Sequence, residues 1–158
     1  MHRFTPVELA LGFALAGSVF AVAVPTFARE IHLSRLVEPE DGLARLGADA
    51  MAYADARGRL PDSAPLTPPA PPRGKKDVDP PGTWSTPAWA AVDFRPVPEG
   101  TPHAFAFEMA STGAHFVARS RGDLDGDGVL SLFEIRAEVR PGAPATLDPG
   151  MYVEAELE

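Results

Sequence analysis

The sequence predicts an α+β protein. A long N-terminal hydrophobic and amphipathic helix, kinked near Pro39, should pack against a small antiparallel β-sheet head. Three observations carry this expectation. Residues Leu9–Ala28 (LALGFALAGSVFAVAVPTFA) run for 20 positions without a charge. Leu43, Leu46, Ala50, Met51, Tyr53 and Ala54 recur at spacings that suit one face of a helix. From residue 104 onward apolar residues alternate with polar ones, the period of half-buried strands.

Composition limits the function classes. The chain has 158 residues and 16.7 kDa, enough for one domain with an appendage. Its net charge of -8 supplies no basic footprint for phosphates, so nucleic acid is not an expected partner. Cys is absent, which excludes disulfide scaffolds, thiolate zinc sites and Cys nucleophiles. The four histidines (His2, His32, His103, His115) stand at neither metal-ligand nor triad spacing. No Gly-rich phosphate loop occurs, and no carboxylate pair outside one acidic loop suggests acid–base chemistry. An enzyme is not expected.

The uncharged block spans roughly 30 Å as a helix, the thickness of a bilayer's hydrocarbon core. A membrane helix, a cleavable secretory signal and a buried core helix share that property. A core helix fits poorly at the N-terminus of so small a chain. For a signal speak the basic His2 and Arg3 and the small-x-small sequence Thr26-Phe27-Ala28. Against it stand Glu8, a carboxylate at the edge of the apolar block, and Pro25 just inside the block's end.

Phe4-Thr5-Pro6-Val7-Glu8-Leu9, an apolar helix and then Pro25 form a pattern that resembles the N-terminus of type IV pilins and type II secretion pseudopilins. In that family an FT-x-x-E-L start follows a short basic leader, and a prepilin peptidase cuts before the Phe and methylates the new N-terminus. The resemblance implies processing between Arg3 and Phe4, with Arg3 standing where the family carries Gly. Pro6 is compatible with a helix start, because the first turn leaves its N–H groups unpaired anyway. The resemblance also implies a role for Glu8 in assembly. In a staggered bundle, Glu8 of one subunit neutralises the Phe4 ammonium of its neighbour, and the cost of an unpaired buried carboxylate enforces the register. Its partners would be identical or homologous pilin-like subunits, the prepilin peptidase and the inner membrane.

The remaining chain divides by composition. A leader of residues 1–3 precedes the apolar helix 4–28 and an amphipathic stretch 29–58. Pro39 and Gly42 should interrupt it, giving helices over about residues 5–37 and 41–57. Residues 59–102 form a Pro-rich region with 12 of the 18 prolines, unable to propagate a helix or a central strand. Trp84, Trp89 and Phe94 should pin it to the head. Residues 103–158 should form the sheet, with strands at 104–110, 114–120, 133–139 and 151–157.

Between the second and third of these strands lies Asp123-Leu-Asp125-Gly-Asp127-Gly128-Val129-Leu-Ser131-Leu-Phe-Glu134. It matches the calcium-loop pattern, with acids at positions 1, 3 and 5, Gly at 6, an oxygen side chain at 9 and Glu at 12. Ca2+ is a hard cation that takes six to eight oxygens. Asp123, Asp125 and Asp127 offer carboxylates, Val129 its carbonyl, Ser131 a hydroxyl, and Glu134 a closing bidentate carboxylate. Strands rather than helices flank the loop, so an isolated loop that braces the head is expected, not an opening EF-hand. A plain acidic turn is the other reading of these residues.

The resemblance therefore implies a minor pilin or pseudopilin of a type IV pilus or type II secretion filament. It would be anchored once in the bacterial inner membrane, its basic N-terminus inside and its calcium-braced head in the periplasm or on an extracellular filament. The rival expectation is a secreted or periplasmic calcium-binding domain released after Ala28.

Overall fold

The structure is a computed structural model that describes residues 5–140 and 142–155, with side chains from 27 to 35 outside that description. It divides into two compact units, Met1–Arg35 and Leu36–Glu158. The element α1 is assigned over Pro6–Arg57. In the first unit, Pro6–Thr26 is the one helical stretch among the described residues that is long and apolar enough to cross a membrane. None of it is buried, and Val7, Phe13 and Val22 are 70% exposed or more.

The second unit is an α+β fold. The part of α1 within it buries Leu36, Leu43, Leu46, Ala50 and Ala54, the i, i+3, i+4 stripe of one helix face. Five antiparallel strands follow, in the spatial order of the chain: β1 (Ala64–Thr67), β2 (Phe105–Thr112), β3 (His115–Gly122), β4 (Ser131–Glu138) and β5 (Tyr152–Glu154). A short helix α2 (Pro87–Ala91) lies between β1 and β2, with Pro87 at its first turn, where a missing N–H costs nothing. Gly113, at φ +61°, forms the tight connection of β2 to β3, whose pairing begins at Thr112 and His115.

Register decides what each sheet face carries. Phe107, Ser120 and Phe133 stand side by side on the core face, and Met109, Ala118 and Ile135 form the next row. The opposite face carries Glu108, Arg119 and Glu134 in one row, with Arg121 beside Ala106 and Leu132. One face is apolar and the other is a charged ladder, because side chains alternate along a strand.

Two expectations need correction. The interruption at Pro39–Gly42 does not divide the helix, since residues 36–57 are helical throughout. Packing explains this. Pro39 is among the fully buried side chains, and a Cβ on Gly42 would stand 2.6 Å from the Phe107 ring. Gly42 is there to let the helix approach the sheet, so tertiary contact overrides weak local propensity. Nor is the Pro-rich region without secondary structure, for it supplies β1 and α2. Both obey the limits on proline, because β1 is an edge strand and Pro87 opens its helix.

The aromatic residues of the Pro-rich region lie in the core. Trp84, Trp89 and Phe94 form one cluster with Phe107 of β2, at centroid distances from 5.2 to 6.3 Å. The Trp89 Nε1–H donates to Thr67 Oγ1 at 3.0 Å, and the Trp84 Nε1–H to Asp79 Oδ2 at 2.6 Å. Each indole thus buries its ring and satisfies its donor.

Candidate functional site

The residues singled out by the sequence lie in two places on the chain, one in each unit. At the N-terminus, the expected processing residues Arg3 and Phe4 lie outside the described residues. Glu8 is described. Its Oε2 accepts the Thr5 N–H at 2.7 Å and the Thr5 hydroxyl at 2.9 Å, while the Glu8 N–H donates to Thr5 Oγ1 at 3.3 Å. This is a capping box with Pro6 at the first helical position, and it satisfies donors that a helix start leaves unpaired. Its sequence signal is Thr-x-x-Glu before an apolar run.

The second place is the loop between β3 and β4. Three carboxylates gather there, with one oxygen each from Asp123, Asp125 and Asp127 all within 4.8 Å of one another. The loop folds around its own acids. Asp123 Oδ1 accepts the Gly126 N–H at 2.8 Å, Asp125 Oδ1 that of Asp127 at 3.0 Å, and Asp127 Oδ1 that of Val129 at 2.7 Å. Glycines at φ +86° (Gly126) and +96° (Gly128) let the chain turn tightly enough for this. Asp125 and Asp127 are exposed, whereas Asp123 is buried.

Glu134 is not among the grouped carboxylates, and the Ser131 hydroxyl has a main-chain partner of its own. Ser131 opens β4, is fully buried, and its hydroxyl donates to the Gly122 carbonyl at 3.2 Å. Glu134 stands on the charged face of the sheet, paired with Arg119 across the strands. Its two oxygens accept from Arg119 Nε and Arg136 Nε, both at 2.5 Å. Burial pushes the Glu134 carboxyl up, but the hydrogen bonds and charges of Arg119 and Arg136 outweigh it and hold it below the usual carboxylate range.

The physical reason is the strand. At about 3.3 Å per residue, three residues of β4 carry Glu134 roughly 10 Å beyond Ser131, where a helix would have turned back toward the loop. Arg136, two residues along the same strand face, was the sequence signal for this pairing. The oxygens that remain for a hard cation are the three Asp carboxylates, loop carbonyls such as that of Val129, and water. Such a donor set fits a weak site better than a tight one.

Two further contacts had no signal in the sequence. Glu38 of α1 accepts the N–H groups of Ala104 and Phe105 at 2.9 and 3.0 Å, although 66 and 67 residues separate them. Gly74 of the Pro-rich region donates its N–H to the Asp123 carbonyl at 2.8 Å. The chain matches no protein-family model, no curated protein and no solved structure.

Proposed function

We propose that the protein is a pilin-like structural subunit, a minor pilin or pseudopilin, held in the bacterial inner membrane by its apolar N-terminal helix. The observation that carries this reading is α1 itself. One helical element holds an exposed apolar stretch of 21 residues, Pro6–Thr26, and farther along buries one face against an antiparallel sheet. The FT-x-x-E-L start, residues 4–9, overlaps its first turn, and residues 36–57 pass Pro39 as one undivided helix. The head carries a loop for a divalent hard cation, Ca2+ by its oxygen donors.

The test is the intact mass and N-terminal sequence of the protein from native membranes. A chain that begins at methylated Phe4 is the expected result. A chain that begins at Arg29, or one uncut at Met1, would overturn the filament reading and leave a released or a tethered domain.

Replacing Glu8 separates its two roles. Glu8→Ala removes the capping box, at a cost of about 1 kcal/mol to the helix start, and also the carboxylate that would pair with a neighbour's Phe4 ammonium. Glu8→Gln keeps an acceptor for the Thr5 N–H and removes only the charge. Filament incorporation is expected to fall at least tenfold in both, since a buried uncompensated ammonium costs several kcal/mol. Normal incorporation of Glu8→Gln would show that the capping box is all Glu8 provides.

The cation reading is checked by calorimetry of the full chain in detergent micelles. Ca2+ is expected to bind with Kd on the order of 0.1–1 mM, the range for weakly liganded extracellular modules. Asp123→Asn, which keeps the acceptor for the Gly126 N–H, should abolish the heat. An unchanged heat in that variant would remove the loop as the site.

A further inference from the structure

The Pro-rich region and the acidic loop meet main chain to main chain. Besides the hydrogen bond from Gly74 N–H to the Asp123 carbonyl, Arg73 and Asp123 form an isolated parallel bridge. The two segments approach closely. A Cβ on Gly74 would stand 3.2 Å from the Asp125 carbonyl oxygen, and one on Gly126 would stand 3.4 Å from Gly74 Cα. Gly74 has φ +64°, so each chain presents a left-handed glycine to the other. Three residues farther on, Asp77 and His103 exchange two backbone hydrogen bonds at 2.9 and 3.0 Å, which ties the segment to the start of the sheet.

Asp123 is the shared residue. Its side chain is wholly buried, yet Oδ2 accepts no hydrogen bond. The nearest cation is Arg73 Nε at 3.7 Å, beyond hydrogen-bond distance, on a side chain that is 76% exposed. A buried carboxylate oxygen without a donor is costly, and a divalent cation held with Asp125 and Asp127 would satisfy it. The same residue's carbonyl holds Gly74.

We infer, resting on the cation reading above, that divalent-cation occupancy of the loop and docking of the Pro-rich segment at Arg73–Gly74 form one linked equilibrium. A cation that fixes Asp123–Asp127 fixes the acceptor on which the segment rests. By reciprocity the docked segment tightens the hold on the cation. The main chain makes this clasp. The Arg73 guanidinium, like-charged to the cation, swings into solvent.

Trypsin reads the docking. The side chains of Arg73, Lys75 and Lys76 are more than half exposed, so cleavage beside them is limited by the segment leaving the head. In the full chain in detergent micelles, Ca2+ is expected to slow cleavage at these three positions about fivefold or more relative to chelator. Cleavage after the exposed Arg59 serves as internal reference. Calorimetry on the same sample keeps the two readings apart. Heat of binding with protection supports the linkage. Heat of binding without protection overturns it and leaves the cation site standing, and no heat of binding removes both. Gly74→Val gives the reciprocal measurement and should weaken Ca2+ affinity about fivefold or more. Wild-type affinity in that folded variant would overturn the linkage, and if the variant does not fold, protection of the wild-type chain decides.

Discussion

Trp89→Ala is expected to lower the stability of the head by about 4 kcal/mol, which for a unit of this size lowers Tm by roughly 10–15 °C. Trp89 has no exposed surface, and its ring lies 5.2 Å from that of Trp84 and 5.4 Å from that of Phe94. Truncation removes one of the two indoles of the cluster and leaves a cavity between Trp84 and Phe94. It also leaves the buried Thr67 hydroxyl without the indole donor it now accepts from. Trp89→Phe keeps most of the volume and should lose about half as much. Thermal unfolding of the full chain in detergent, followed by near-UV circular dichroism, makes the comparison. Equal loss in the two variants would mean that the hydrogen bond, not the ring volume, carries the effect.

Gly42→Val is expected to cost about 3 kcal/mol, although valine is the better helix former. The reason is the Phe107 ring, whose Cε1 and Cζ would both lie 2.6 Å from the new Cβ. That ring is fully buried and is held by Trp84 and Phe94 at 6.3 and 5.5 Å, so it has nowhere to turn. Overpacking a closed site costs about 1–3 kcal/mol for the first methyl alone, against about 1 kcal/mol gained by removing glycine from a helix. Gly47 provides the contrast on the same helix. A Cβ there would meet Ile135 Cδ1 and Leu147 Cδ1 at 2.7 Å, the ends of aliphatic chains that can rotate. Gly47→Ala should therefore be close to neutral in the same unfolding measurement. A loss equal to that of Gly42→Val would show that both positions serve helix geometry rather than approach to the sheet.

The apolar stretch, the helical stripe from Leu43 to Ala54, the strands β2 to β5 and the gathering of Asp123, Asp125 and Asp127 were all legible in the sequence. Each depends on residues within about one turn or one strand of each other, where periodicity and turn chemistry act directly. The tertiary structure decided the rest. Pro39 and Gly42 read as a helix break, yet one is buried and the other admits the Phe107 ring. Glu134 read as a calcium ligand, yet the register of β4 stands it between Arg119 and Arg136. Gly74, within the Pro-rich stretch, lies against Asp123 and Asp125. These outcomes turn on which residues face each other across tens of positions. Local propensities are worth a fraction of a kcal/mol to about 1 kcal/mol, and burial of a large side chain is worth several times that, so packing prevails where the two disagree.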